Sequence, residues 1–301
     1  MRVNPFYISN LAGSLNQAQA SEQQLTAELS SGTRVNALSD DPLAAGENVL
    51  LLNQIQRDDS FTQTSSLVQG QLQVADSALG GVVTQLTQAI ALATRANNRT
   101  LNASDLKSIS NQLAGIRDEV VALANTSYQG QYIFAGSQTG MAPFSVSSAT
   151  SPATAAYNGD ATVNCLVTPN GQKIQLNVPG DQIFTAAGNS GVLGTLNQLV
   201  ADFASGQPAA TSVADTTALS TVLNFVSQQR VLLDNSLTRL TAASDAASNE
   251  KMQLMVAQTD LMQADVAKIA TQLSLSRTQQ TALENVIAQL GAGSLFDRIS
   301  G

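Results

Sequence analysis

The sequence predicts a mainly α fold with a β-rich inserted domain: a long antiparallel helical rod or coiled coil from both chain ends, and a small β domain in the middle. Two observations predict it. Both ends carry hydrophobic heptads, and the only turn-rich, β-like stretch lies between them. At the front, Ile8, Leu11, Leu15, Ala18, Leu25 and Leu29 recur at steps of three and four, interrupted by Glu22. At the back, Met252, Met255, Met262, Val266, Ile269, Leu273, Leu283, Ile287 and Leu290 keep the register, interrupted by Thr259, Ser276 and Gln280. So narrow a seam cannot bury itself on one isolated helix, so each end needs a partner helix from its own chain or from a neighbour.

The elements follow in order. Asn4-Pro5 offers an N-cap and a first-turn proline, opening a helix that runs to about Ser31, where Gly32 ends it. Asp41-Pro42 repeats the cap-plus-proline signal and starts a helical stretch to about Asn98. Its second half (Leu72, Ala75, Leu79, Val82, Leu86, Ile90, Ala93) and the next helix, capped by Asn102 or Ser104 (Leu106, Ile109, Leu113, Ile116, Val120, Leu123), carry continuous stripes. These read as an antiparallel pair with its own core. From Tyr128 glycine, proline and alternating β-branched residues take over. Tyr132-Ile133-Phe134 reads as a strand. Val163, Cys165, Val167 and Ile174, Leu176, Val178 read as two strands around the turn Pro169-Asn170-Gly171. Helix returns over about Gly191–Ala204 and runs on from Val213 to Leu290. The organisation is therefore a terminal coiled-coil assembly domain (1–40 and 262–301), a helical rod domain (41–137 and 206–261) and a β-rich outer domain (138–205).

Composition narrows the function. The 301 residues contain no His, no Trp and one Cys, which removes Ser-His-Asp and Cys-His catalysis, His-ligated metals and intramolecular disulfides. A net charge of −8 argues against nucleic acid as partner. No run approaches a membrane span, so no membrane partner is expected. Only 12% of residues are charged, and a surface of Gln, Asn, Ser and Thr can pack against other subunits without desolvating charge. Asp40-Asp41 and Asp58-Asp59 could be paired carboxylates, but Asp40-Asp41 at a helix start reads as a cap. No phosphate-cradling glycine pattern occurs, and Cys165 reads as a small buried hydrophobe. Neither an enzyme site nor a cofactor is expected. For the terminal stripes the preferred reading is an assembly interface formed by Ile8, Leu11, Leu15, Ala18, Leu25, Leu29, Val266, Ile269, Leu273, Leu283, Ile287 and Leu290.

Particular strings say more. Leu29-Ser30-Ser31-Gly32-Thr33-Arg34-Val35-Asn36, followed by Ser39-Asp40-Asp41-Pro42-Leu43-Ala44-Ala45, resembles the bacterial flagellin N-terminal signature. Gly130-Gln131-Tyr132-Ile133-Phe134-Ala135-Gly136, Tyr157-Asn158-Gly159-Asp160 and Gly293-Ser294-Leu295-Phe296-Asp297 resemble the hook-associated, hook–filament junction members of that family. The resemblance implies a structural subunit of a tubular filament, secreted through type III export without signal cleavage and located extracellularly in the flagellum at the hook–filament junction. It implies self-assembly into a ring or helical oligomer, contact with a neighbouring hook-associated protein and with flagellin, and an export chaperone on the C-terminal helix. Arg34, Asp40, Asp41, Pro42, Tyr132, Phe134 and Gly136 become structural motif residues. Filament-forming flagellin is the first alternative, since it shares the Asp40–Ala45 region. A secreted adhesin-type or sugar-binding module over 130–205, and a wall hydrolase whose carboxylate pair is not identifiable, stay open behind it.

Overall fold

The computed structural model describes residues 5–98, 100–185 and 191–292, with side chains described over 9–98, 100–185 and 191–289. The elements are α1 (Pro5–Ser31), α2 (Pro42–Asn97), α3 (Ala103–Ala124), β1 (Ser127–Tyr128), β2 (Gln131–Tyr132), β3 (Phe144–Ser147) and β4 (Thr154–Tyr157). After them come β5 (Cys165–Val167), β6 (Lys173–Gln175), a π-helical turn (Asp181–Thr185), α4 (Val192–Ala204), α5 (Ser212–Met262) and α6 (Val266–Ala292). Long helices at both ends flank a small central region of short antiparallel strands, as the sequence predicts. The chain divides into two compact units, residues 58–249 and residues 1–57 with 250–301.

Local signals explain several helix ends. The Asp41 carboxylate accepts the Ala44 N–H at 3.0 Å, capping α2 behind Pro42. Asn102 caps α3 by accepting the Asp105 N–H at 2.9 Å. Gly32 ends α1 with φ +69°, a conformation that costs glycine nothing. The proposed cap Asn4 lies outside the described residues.

In the 58–249 unit the stripes become core. Leu79, Val82, Leu86, Ala89 and Ala93 of α2 and Ile109, Leu113 and Val120 of α3 have no exposed surface. Gly81 lets the two helices close, because a Cβ there would stand 3.0 Å from a Leu123 methyl. The α5 helix joins through Leu219, Val222, Val226, Leu233 and Leu240. A two-pronged ion pair pins it to α2: Arg230 Nε and Nη2 donate to Asp76 Oδ1 and Oδ2 at 2.8 and 2.9 Å. The core also takes in the central region, where Leu193, Leu196, Leu199 and Phe203 of α4 are wholly buried and α4 lies against α3. The Ser110 hydroxyl donates to the Val200 carbonyl at 2.7 Å.

Three sequence expectations change. The strand over Tyr132-Ile133-Phe134 shrinks to Gln131–Tyr132, because Ile133 and Phe134 turn into the core, at 4% and 1% exposure. Cys165 is exposed rather than buried. The β5–β6 register pairs Cys165 with Gln175 and Leu166 with Ile174, so the inward face of β6 fixes Leu166 as inward and sends Cys165 and Val167 out. Finally, the helix expected from Val213 to Leu290 breaks at Gln263–Asp265, where the chain after α1 binds it by backbone hydrogen bonds.

Candidate assembly interface

In the unit formed by 1–57 and 250–301, α1 and α6 pack antiparallel. Ser276 Oγ donates to the Ala18 carbonyl at 3.2 Å, and Arg277 Nε donates to Glu22 Oε1 at 2.9 Å. Further along, Thr33 faces Gln263 in an antiparallel bridge. The hydrogen bond from Arg277 holds the Glu22 carboxyl below the usual carboxylate range. Glu22 and Ser276, two of the polar interruptions of the stripes, thus each have a partner on the facing helix. A sliding register would leave both unmatched, which is what polar seam positions accomplish in coiled coils.

The pair covers itself incompletely. On α6, Ile269 and Ser276 are buried while Leu273, Leu283 and Ile287 are half-buried; on α1, Leu11, Leu15, Ala18 and Leu25 are half-buried. Leu29 and Val266 fall off the inward stripe and are 38% and 55% exposed. The side chains of Ile8 and Leu290 lie outside those described. A groove of about 840 Å³ runs along one flank, floored by Ala18, Leu25, Leu275 and Leu283 and rimmed by Gln and Ser. The opposite flank carries a second groove of about 380 Å³ beside Leu29, Leu273 and Arg277. Two helices alone leave such flanks open; a further helix on either side would close them. In the same unit Leu43, Leu50, Met252 and Val256 are more than half exposed.

The segment between α1 and α2 is built from the motif residues. Arg34 donates its backbone N–H to the Met262 carbonyl at 2.7 Å, and Gly32 O accepts the Ala264 N–H at 3.0 Å. The Arg34 guanidinium bridges Asp41 Oδ2 at 2.9 Å and the Leu261 carbonyl at 3.3 Å. Asp40 Oδ2 accepts the N–H groups of Ala37 and Asn36 at 2.8 and 3.0 Å. These bonds, Ala37 first, lower the Asp40 pKa; the Ala44 N–H and then Arg34 lower that of Asp41. The acidic pair is therefore a turn-and-cap device, and Pro42 sets the first turn behind it.

In the other unit, Tyr132, Phe134 and Gly136 organise the entry to the hairpins. Phe134 meets Phe184 edge-on with centroids 5.6 Å apart, and Phe144 lies tilted against Tyr157 and edge-on to Phe184, each at 5.0 Å. Gly136 has φ +68°, and a Cβ there would overlap Asp160. Asp160 accepts the Ser137 hydroxyl, the Ser137 N–H at 2.8 Å and the Thr162 N–H at 3.0 Å. With the Ser137 hydroxyl contributing most, its pKa falls to about 2. The Tyr157 hydroxyl lies within hydrogen-bond reach of the Phe134 and Asp160 carbonyls at 3.0 and 2.9 Å, and burial, then the charge of Asp181, pushes its pKa up to about 12. The Tyr157–Asp160 string carried a resemblance in the sequence but no role. The structure makes it the clasp across Gly136.

A model of the bacterial flagellin N-terminal helical region matches residues 6–139, from α1 through the Tyr132–Gly136 string. Over that stretch the chain is similar to bacterial flagellins. The chain is also similar to the flagellar hook-associated proteins 3 of Escherichia coli and Salmonella typhimurium. The first is 28% identical over 294 residues, covering 92% of each chain. The second is 31% identical over 187 residues, which span 62% of this chain and 57% of that protein. In fold the chain is similar to a flagellar hook-associated protein structure from Vibrio parahaemolyticus, with TM-score 0.65 and 20% identity over 74% of this chain and all of that one. It is also similar to the flagellar junction protein FlgL of Legionella pneumophila, with TM-score 0.55 and 15% identity over 72% of this chain and all of that one.

Proposed function

We propose that the protein is a non-enzymatic structural subunit of the extracellular bacterial flagellum that joins hook to filament, and that it assembles through α1 and α6 after type III export. The observation that carries this reading is the incompletely covered α1–α6 pair. Its register is fixed by Glu22–Arg277 and Ser276–Ala18, yet both flanks remain open as grooves. Burying an apolar side chain completely is worth roughly 1.5–3 kcal/mol. Half-buried leucines on both helices therefore leave a substantial driving force for lateral association, which a ring or helical stack of copies would satisfy. The proposed neighbours along the axis are another hook-associated protein and flagellin, with an export chaperone holding α6 beforehand.

Immunogold labelling of isolated flagella tests the role. Gold confined to a short band between hook and filament is expected. Labelling along the whole filament would instead assign the chain to filament-forming flagellin, and absence from flagella would overturn the reading.

A further inference from the structure

Two carboxylates away from the terminal helices meet at the corner between α4 and α5. Asp202 is 4% exposed. Its Oδ1 accepts from Gln198 Nε2 and Thr211 Oγ1, each at 3.2 Å, and its carbonyl accepts the Ala209 N–H at 3.2 Å. Its Oδ2 is buried without a donor, and so is Oδ2 of Asp215, in the first turn of α5. The two side chains lie within hydrogen-bond reach of one another. An ionised carboxylate can only accept, so two such side chains that meet with a buried, donorless Oδ2 on each favour a state in which one of them is protonated. Two oxygens are also too few to hold a calcium ion, which takes six to eight.

We propose that Asp202 and Asp215 hold one proton between their Oδ2 atoms, and that this proton is a pH-sensitive latch on the α4–α5 corner. Burial, and next the bond to Asp215, raises the Asp202 pKa. Among the described residues the groups bonded at this corner are neutral. Gln198 and Thr211 are uncharged, α3 reaches the corner through Ala103 against Gly206, and α2 reaches the start of α5 through Asn97, bonded to Ser212 and Thr216. The charged residues of α2 and α3 nearest in sequence, Arg95, Asp105 and Lys107, are exposed. The sign follows. The folded pair keeps a proton that unfolded carboxyls have lost, so its stabilisation is complete below the ordinary carboxyl pKa and disappears as pH rises through the raised value.

The test compares full-length protein with Asp215→Asn, whose amide donates permanently to Asp202 Oδ2. Thermal midpoints are measured between about pH 4 and pH 8, the range above the ordinary carboxyl pKa. The gap between variant and wild type is expected to widen with pH and then level off. Amide exchange at Ala209 and Ser212, corrected for intrinsic rates, should accelerate with pH in the wild type alone. Should the variant fold poorly, a carboxyl carbon NMR titration of the wild type decides, with one aspartate titrating well above the rest. Parallel pH profiles, aspartates that all titrate together, or a midpoint that follows added calcium and its chelator would each overturn the proposal.

Discussion

Replacing Ile269 by alanine separates what holds α1 to α6 within one chain from what holds copies together. Ile269 is 4% exposed and sits on the inward stripe between the backbone crossing at Gln263 and the Ser276–Ala18 bond. Deleting a buried Ile side chain costs about 2–5 kcal/mol, and the low end applies because the neighbouring seam residues are only half-buried and can close over the gap. A loss of about 2 kcal/mol in local opening is roughly a 30-fold change in an equilibrium constant. Hydrogen exchange followed by mass spectrometry on unassembled protein should show α6 peptides exchanging roughly that much faster, while peptides of α3 keep their rate. Unchanged α6 protection would refute the packing of Ile269 in the single chain. Acceleration spread evenly over α3 as well would refute the separation of the two units.

Further expectations can be checked alongside. Leu29→Asp with Val266→Asp, both at exposed positions, should leave unassembled protein with its normal melting curve yet prevent incorporation into flagella, scored by electron microscopy of complemented cells. Gly81→Val should lower stability by about 1–3 kcal/mol, the range for overpacking, in a denaturant titration, because the new side chain meets Leu123. Because the folded pKa of Asp160 is lowered to about 2, the bonds around it should contribute fully above its ordinary value and be lost as pH falls from about 4 towards 2. Wild-type amides of Ser137 and Thr162 should lose protection over that window, and those of Asp160→Asn should not. Replacing residues 148–153, beyond the paired end of β3 and β4, by a short turn should preserve folding, whereas deleting 138–205 should not, since it removes the buried face of α4; circular dichroism melts distinguish the two.

What the sequence disclosed was whatever depends on neighbours along the chain. Caps at Asp41 and Asn102, the stop at Gly32 and the stripes from Leu72 to Val120 rest on local chemistry and on helical spacing, and each has its place in the structure. What was illegible depends on partners remote in sequence. Near Gln263 Asp265 offers a cap, its carboxylate accepting the Lys268 N–H at 3.0 Å, but the bonds that hold the break come from the main chain of Gly32 and Arg34. Cys165 took the outward face because Leu166 is tied to Ile174 across a hairpin, and apolar alternation fits either face. At the interface the interruptions Glu22 and Ser276 stood out in the stripes, but that they answer Arg277 and Ala18 is a fact of the antiparallel register. Asp202 and Asp215 are unremarkable as letters and become a pair only when the turn between α4 and α5 folds back.

The crossing of Gly32–Arg34 over Met262–Ala264 is written in main-chain atoms. Any side chain can come and go at Thr33 or Gln263 without touching the two bonds that define it, so drift in the surrounding surface leaves the joint intact. Only an imino acid would be ruinous there, because proline at position 34 or 264 deletes a donor outright. Over evolutionary time such a joint lets the faces of α1 and α6 be rewritten to suit new neighbours while the place where both helices are fastened stays fixed.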